Sequence, residues 1–490
     1  MKKIVAIIVA TTAILMFAPT AYASDGDLDT TWGSDGVVVS THSDSSAAYA
    51  IANYPDNRVL VVGSVTDSPS SRILINRFLA DGSADTSCNG TGEFVDTVND
   101  AVASDVVVLS DGSFLITGKM QFVVQGTSRD TLFVAKFSRA CHLEPTFGSA
   151  GIATYSAGGD TSGTALAVQS NGSIVVAGYE YLTVSDGGTQ RILVVRFTPS
   201  GNLDSFGNNG RFLSSINEEG QAQDVVIDSS GRIIFVGLVD RTVAPDAASV
   251  GRLTSGGQLD TTFADQGYLI DDFDGEAQLN AIDIRPNGNL VAVGTHVVPY
   301  STGPQMALIV CLTAQGALDS TCNSVGWDFL SDFPNDVYAD DVIVSSDNRI
   351  LLSGASNDGT ARPIVMRLND NATLDNSFAS SGTWRGSALI GRMYSVTIQS
   401  DGRILAAGGL DAQGTMSVGV VRLTNTVVTP STTTTTTTST TVAPLVTTTS
   451  TTIAADQLPA TGRDENGLMF AVAVFGLGIL LMGMRRRALH

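Results

Sequence analysis

The side chains that could carry chemistry in this sequence are mostly carboxylates. The 490 residues include 48 Asp and Glu, only seven of them Glu, against 27 Lys and Arg, so the formal net charge is −21. The histidines are scattered without metal-ligand spacing; they are His42, His142, His296 and His490. No G-x-S-x-G elbow or phosphate-binding loop occurs. We expect no catalytic set, metal or cofactor, and the acidic surface excludes nucleic acid as a partner.

The carboxylates leave one catalytic alternative open. Two acidic groups about 5–10 Å apart can cleave a glycosidic bond, and many Asp residues could meet in a channel. Two acidic clusters lie at corresponding places in neighbouring repeats. They are Asp271, Asp272, Asp274 and Glu276, and Asp332, Asp336, Asp340 and Asp341. Because neither has EF-hand spacing, a solvated acidic rim is favoured over a calcium site.

The C-terminus carries a motif for peptide-bond chemistry. Leu458-Pro459-Ala460-Thr461-Gly462 is followed by an apolar segment, 467–484, and then by three Arg. This order resembles the LPxTG cell-wall sorting signal of Gram-positive surface proteins. The resemblance implies that a sortase cleaves the Thr461–Gly462 bond and transfers Thr461 to peptidoglycan, after transient membrane anchoring by 467–484. The alternative is a single-pass membrane protein with its folded domain outside.

The N-terminus and the linker before the sorting motif are also typical of an exported protein. Residues 1–23 have a basic start, an apolar run and an Ala-x-Ala exit, which predict a cleaved signal peptide. Residues 426–457 are rich in Thr and predict an extended wall-spanning linker, and residues 458–490 form the sorting signal. We therefore expect an extracellular protein attached to the wall of a Gram-positive bacterium.

Residues 24–425 consist of seven repeats. A Leu-Asp turn, or its variant, returns every 56–60 residues and precedes an aromatic residue or Cys. Its seven copies begin at Leu28, Ala84, Leu143, Leu203, Leu259, Leu318 and Leu374. A second landmark is a two-residue turn, such as Asp111-Gly112, followed by an apolar run that ends in Gly. Asx-Gly between apolar runs is a strong hairpin signal.

Each repeat therefore predicts four strands; in the third they are 152–156, 164–169, 173–178 and 191–198. The third strand is apolar on both sides, so each sheet must be covered on both faces, as in the blades of a β-propeller. The pattern leaves open which strand is innermost. Because the last repeat lacks a following Leu-Asp turn, the N-terminal segment should dock on strand 415–424 and close the ring.

The motifs G-x-L-D-x-x-F-G-x-x-G, Q-x-D-G-x-I-x-x-A-G and V-x-R-F resemble the delta-60 repeat, a bacterial β-propeller family. The resemblance spans all seven repeats. It implies an all-β, seven-bladed β-propeller of four-stranded blades, and it supplies no catalytic residues to transfer.

The repeat alignment also suggests partners for the four cysteines, which in an exported chain indicate disulfides. An Arg or Lys ends the fourth strand in six repeats and would lie against the following aromatic ring. In the fifth repeat Cys311 and Cys322 take these two places, which implies that they touch and form a disulfide worth roughly 2–3 kcal/mol. Cys88 and Cys141 then pair by elimination.

Variable loops on a fixed scaffold are where recognition usually occurs. The loops that differ most among the repeats are 64–71, 179–190, 239–249 and 296–305, and Tyr179, Tyr181 and Tyr300 in them could stack on sugars. We expect a monomeric, non-catalytic protein that binds or adheres to an unidentified extracellular polysaccharide, matrix or protein ligand. A surface hydrolase or lyase that uses channel carboxylates is the alternative.

Overall fold

The computed structural model describes residues 24–67, 70–96, 100–124, 127–182, 188–216, 218–298, 303–330 and 336–426. These residues form seven antiparallel sheets of four strands each, the blades of a β-propeller. The predicted fold class is thus confirmed. In these ranges, no helix is long and apolar enough to cross a membrane.

The strands are numbered in chain order, and the blades are numbered from the first complete sheet. Strand β1 is Val37–Ser40. Blade one comprises β2 (Ser45–Asn53), β3 (Val59–Asp67), β4 (Ser70–Phe78) and β5 (Glu93–Val95). Blade two comprises β6 (Ala101–Val108), β7 (Phe114–Val124), β8 (Thr127–Phe137) and β9 (Ile152–Tyr155). Blade three comprises β10 (Thr161–Val168), β11 (Ile174–Tyr181), β12 (Gln190–Phe197) and β13 (Arg211–Leu213). Blades four to seven comprise β14 (Glu219–Ile227), β15 (Ile233–Asp240), β16 (Ala247–Leu253), β17 (Tyr268–Asp271); β18 (Glu276–Ile284), β19 (Leu290–Val297), β20 (Gln305–Leu312), β21 (Trp327–Leu330); β22 (Asp336–Val344), β23 (Ile350–Asn357), β24 (Ala361–Leu368), β25 (Thr383–Arg385); β26 (Gly391–Ile398), β27 (Ile404–Ala412), β28 (Thr415–Leu423) with β1.

The four strands of one sequence repeat belong to two blades. In the third repeat, Ile152–Tyr155 pairs with β8 and is the outermost strand of the preceding blade. The next strand of the repeat is the innermost strand of its own blade, since the seven such strands contact one another around the axis. They are β2, β6, β10, β14, β18, β22 and β26, and we call them the inner strands.

The predicted closure of the ring is confirmed. Strand β1 pairs with β28, with Val37 opposite Val421 and Val39 opposite Gly419, and Leu28 bridges to Leu423. Beyond the strands, the Asp25 carboxylate accepts a 2.8 Å hydrogen bond from Arg367. Strand β1 from the N-terminal end and β28 from the C-terminal end therefore complete the seventh blade together, and Asp25 also joins the N-terminal segment to blade six.

The hairpin turns are one residue longer than the sequence predicted. Leu109 donates its N–H to Ser113 and accepts one from Gly112, so three residues, not two, form the loop. Its third residue, Gly112, has φ of 81°, a left-handed conformation that Gly adopts without a steric cost. The equivalent residue has positive φ in all seven repeats, and it is Asn57 and Asn348 in two of them.

The Gly that ends each apolar run lies against a β-bulge of the inner strand. In blade five the register shifts between Leu279 and Ala281, which leaves Asn280 as an extra residue. A Cβ on the facing Gly294 would lie 1.9 Å from the Gln278 carbonyl oxygen. All seven blades repeat this arrangement. The repeated Gly therefore allows the bulge, and the bulge turns one side chain towards the channel.

The core lies between blades. Seven buried clusters occur, one at each junction of neighbouring blades. In the closing junction Trp32 and Leu74 pack with Leu405 and Val420, all nearly inaccessible. Apolar residues on both faces of the middle strands are thus buried, as the repeat pattern predicted.

Candidate functional site

The seven inner strands begin at one face of the disc, which we call the upper face. The connections between the second and third strands of each blade lie on this face, so the described parts of the predicted variable loops belong to it. Tyr181 is 44% exposed there, whereas Tyr300 lies outside the described residues. The hairpin turns and Leu-Asp turns lie on the opposite, lower face.

A ring of seven bulge residues surrounds the central channel. They are Tyr49, Ser104, Thr164, Gln223, Asn280, Asp340 and Tyr394. The cavity that they line is small, about 120 Å³. Three Asp residues, Asp105, Asp224 and Asp341, directly follow a bulge residue and line the channel in blades two, four and six.

Those carboxylates hold neighbouring blades together. Asp105 accepts the N–H of Val106 at 2.8 Å and that of Leu166, in the next blade, at 2.8 Å. Asp224 and Asp341 each bind their own strand and the next blade in the same manner. Since each carboxylate binds backbone donors of its own strand and of the next blade, these groups have a structural role in joining neighbouring blades.

A larger cavity, about 340 Å³, opens where the channel meets the upper face; we call it the mouth cavity. Its lining residues are Leu238, Asp246, Glu276, Ala277, Gln278, Thr295, Val297, Gln305, Tyr338 and Arg392. Inner strands of blades five, six and seven supply Gln278, Tyr338 and Arg392. A concave site with one aromatic ring and several converging polar groups is typical of ligand binding.

Arg392 is the only basic residue in the seven inner strands. Its Nε and Nη2 both donate to Asp340, at 2.5 Å, and its guanidinium lies 4.4 Å from the centre of the Tyr338 ring. Burial alone would lower the pKa of Arg392, but the hydrogen bonds and charge of Asp340 raise it above its usual value. Arg392 is thus a fixed, permanently charged donor whose charge Asp340 balances.

Acidic groups line the blade-four and blade-five side of the mouth cavity. Burial raises the pKa of Asp246, and the negative charges of Asp240 and Glu276 raise it further. The carboxylate of Asp246 accepts a 3.3 Å bond from the Arg241 backbone N–H and is also in side-chain hydrogen-bond contact with Asp240. This side therefore presents acceptors with an excess of negative charge.

The described residues of the two acidic clusters reach the same face, where they bond to protein groups. Asp272 pairs with Arg241 at 3.0 Å, Asp271 accepts the Phe273 N–H, and Asp336 accepts the Gln305 N–H. Asp332 lies outside the described residues. Across the described ranges, no three His, Cys, Asp or Glu side chains are arranged to hold a metal ion.

The structure contains a hydrogen-bonded Ser-His-Glu chain that the sequence analysis did not identify. His42 Nδ1 lies 3.2 Å from Ser46 Oγ, and His42 Nε2 lies 3.1 Å from Glu93 Oε2. In a serine hydrolase the Ser must reach substrate, but Ser46 is 2% exposed. Glu93 is 51 residues from His42, so no sequence motif marks the three residues. His42 follows β1 of blade seven, whereas Ser46 and Glu93 belong to blade one.

His296 supports the loop that precedes Glu276, the first residue of β18. Its Nε2 lies 3.0 Å from the Phe273 carbonyl oxygen, its ring stacks on Phe329 at 4.1 Å, and its buried Nδ1 has no partner among the described residues. Burial lowers the pKa of His296 below 6.5, although nearby acceptors oppose this. The folded state therefore prefers the neutral ring.

Acidification should consequently destabilise this loop. Because the unfolded chain binds a proton that folded His296 resists, the free energy of unfolding should fall as the pH drops below about 6.5, by at most about 1.4 kcal/mol per pH unit from this group. Urea unfolding between pH 8 and pH 5 measures the slope. His296→Phe should flatten it, while His142→Gln, at an exposed site, should not. Equal slopes in wild type and His296→Phe would contradict the assignment.

The Leu-Asp turns are structural, as the sequence favoured. Asp260 accepts the Thr262 N–H at 3.1 Å with one oxygen and Arg252 Nε at 2.8 Å with the other. The predicted contact of the Arg with the ring is present, at 4.5 Å between Arg252 and Phe263. Other repeats share these contacts.

Both predicted cysteine pairings are confirmed. Cys311 is bonded to Cys322 and Cys88 to Cys141, with Cα–Cα distances of 6.1 and 5.0 Å. In blade five, Arg285, the residue after the inner strand, places Nη2 3.6 Å from the Cys311 sulfur, so its guanidinium approaches the place that Arg occupies in other repeats. Two disulfides are typical of an extracellular protein.

The predicted ends are not among the described residues. Residues 1–23, most of the linker 426–457, the motif Leu458–Gly462 and the segment 467–484 all lie outside the described ranges. Export, sortase cleavage and wall attachment remain predictions from the sequence.

Comparison with known proteins supports the repeat assignment. Residues 55–87, 169–206 and 345–378 match a family described as "Domain of unknown function (DUF5122) beta-propeller". Each matched segment runs from a hairpin turn to the region of the next Leu-Asp turn, so the match follows the repeat. No match to the chain was found among curated protein sequences.

Three solved structures illustrate a distant similarity to this chain. Sqt1 from Chaetomium thermophilum is 12% identical, with a TM-score of 0.42 over 78% of this chain and 98% of its own. The polysaccharide lyase Uly1 is 10% identical, with a TM-score of 0.44 over 83% and 94%. Drosophila Semaphorin 1b is 10% identical, with a TM-score of 0.38 over 81% and 87%. At these scores the similarities carry no argument about function.

Proposed function

We propose that this protein is a wall-anchored binding protein that holds an extracellular polysaccharide in the mouth cavity. The observation that carries the proposal is the lining of this cavity, where the Tyr338 ring, the Arg392 donor, amide groups and carboxylates converge on one space. Sugars are commonly bound by such a combination of an aromatic face with polar groups that fix orientation.

Anchoring rests on the sequence of the C-terminus. Sortase transfer through Thr461 would leave the Thr-rich linker between the propeller and the peptidoglycan. The linker could hold the propeller well away from its attachment point, since extended chain spans at most about 3.3–3.6 Å per residue. The disulfides support a place outside the cell.

Native protein tests both parts of the proposal. Protein released from purified walls by a muramidase should end at Thr461 with a peptidoglycan fragment attached, as mass spectrometry will show. Its thermal unfolding midpoint should rise with at least one polysaccharide of a wall and extracellular panel, because a ligand that binds only the folded state stabilises it. A free C-terminus beyond Gly462 would refute the anchoring, and a midpoint unchanged by every polysaccharide would refute the binding.

The second candidate is a glycoside-cleaving enzyme. Asp246 and Glu276 line the same cavity, and burial together with nearby carboxylates raises the pKa of Asp246, which is the property a general acid needs. Products on incubation with the bound polysaccharide, lost in Asp246→Asn, would favour the enzyme. Binding without products favours the binding protein.

A further inference from the structure

The mouth cavity has two ends of opposite hydrogen-bonding character. On the blade-four and blade-five side, Asp246 and Glu276 line it, and no cationic side chain of the described residues pairs with either. Arg241 is close in sequence to Asp246, but its guanidinium is bound to Asp272 at 3.0 Å. This end can therefore accept hydrogen bonds and lacks a balancing positive charge.

On the opposite side, Arg392 offers donors but little net charge. Nε and Nη2 are used by Asp340, whereas no partner is described for Nη1, and the side chain is 29% exposed at the cavity. Because the ion pair neutralises the guanidinium, this end suits a hydroxyl, ring or carbonyl oxygen better than an anion. Tyr338, which lines the cavity beside it, offers an apolar surface.

We infer that the mouth cavity binds a sugar residue that carries a protonated primary amine, with the ammonium at Asp246 and Glu276 and a ring or hydroxyl oxygen at Arg392. The inference rests on the proposed polysaccharide binding and names the class of sugar. A volume of about 340 Å³ is near the lower end of the roughly 300–1,000 Å³ of ligand sites. The cavity is larger than the volume that a single lysine ammonium group would occupy.

Electrostatics separates this ligand from other glycans. A uronate or phosphate group would meet the unbalanced carboxylates of Asp246, Glu276 and the adjacent Asp240, and would be repelled. A neutral or N-acetylated sugar would bond to them without balancing their charge. An ammonium group forms hydrogen bonds to the carboxylates and balances their charge, and it would also relieve the repulsion among them.

Oligomers of equal length test the inference on the whole mature protein. Isothermal titration at about 0.15 M salt should compare tetramers of glucosamine, N-acetylglucosamine, glucose and lysine. The glucosamine tetramer should bind about tenfold or more tightly than the N-acetylated tetramer, since a charged hydrogen bond contributes roughly 1.5–3 kcal/mol. It should also exceed tetralysine, which carries the charge without the sugar ring.

Each alternative result overturns a different claim. Equal affinity for the N-acetylated or glucose tetramers refutes the amine and leaves polysaccharide binding intact, whereas binding of no polysaccharide refutes both. Tetralysine binding as tightly as the glucosamine tetramer refutes the sugar class.

Variants locate the effect in the cavity. Glu276→Gln and Asp246→Asn should each weaken glucosamine-tetramer binding about tenfold, with the affinity for the N-acetylated tetramer changed less. Glu144→Gln removes the same charge on the lower face and should leave binding within about twofold, because screened charges at long range contribute little. Equal losses in all three would show general attraction to an acidic protein and refute the site.

Discussion

Removal of residues 24–40 is expected to abolish the cooperative thermal unfolding of the propeller. These residues contain β1, the outer strand of the seventh blade, which pairs with β28. They also contain Trp32, which is completely buried between blades seven and one. Without them, β28 becomes an unpaired strand edge and the closing junction loses its largest side chain.

Two further measurements make this prediction specific. A synthetic peptide of residues 24–40, added in trans, should restore a cooperative transition, and a scrambled peptide should not. In the intact chain, Trp32→Ala should cost about 3–5 kcal/mol of unfolding free energy, because it leaves a cavity in a packed core. A truncated protein with an unchanged midpoint in scanning calorimetry would contradict the role of β1.

The closure of the ring by the N-terminal segment was predictable, because comparison of the repeats shows which element the last repeat lacks. The propeller sequence begins with a Leu-Asp turn that no strand precedes, and it ends with a strand that no Leu-Asp turn follows. One blade must therefore combine both ends. The disulfides were predictable for a related reason. Cys311 and Cys322 replace two residues that touch in other repeats, and a joint replacement in one repeat marks a contact.

The bulges and the assignment of strands to blades were not predictable in the same way. A bulge adds a residue to one strand relative to its partner, so it becomes visible only when the register of both strands is known. The sequence signal for the bulge was the repeated Gly in the strand that pairs with each inner strand. In the structure, a Cβ at Gly294 would meet the backbone of the inner strand, but a Gly in a strand can equally mark a tight bend or the close approach of a ligand.

The mouth cavity depends on the inner strands, and the sequence left them unidentified. Arg392, Asp340 and Tyr338 meet across blades six and seven, although 52 residues separate Asp340 from Arg392. Once the second strand of each repeat is placed inside, Arg392 stands out as the only basic residue among the inner strands. Among the described residues, the tyrosine that lines the cavity is then Tyr338, which the sequence did not single out.

Replacement of Arg252 by Met should destabilise the propeller by about 3–5 kcal/mol. The side chain is 1% exposed; its Nε donates to Asp260 at 2.8 Å, and its Nη1 donates to the Ala314 carbonyl oxygen of the next blade at 2.5 Å. Met retains much of the packing against Phe263 but leaves Asp260 ionised and buried without its partner. Loss of one member of a buried pair typically costs this amount.

Urea unfolding of three variants separates the ion pair from the packing. Arg252→Met combined with Asp260→Asn should lose less than Arg252→Met alone, since no unpaired charge remains. Arg139→Ala, whose side chain is 63% exposed on the lower face, should change the unfolding free energy by no more than about 0.5 kcal/mol. If Arg252→Met costs as little as Arg139→Ala, then neither the ion pair with Asp260 nor the bond to Ala314 of the next blade stabilises the propeller as expected.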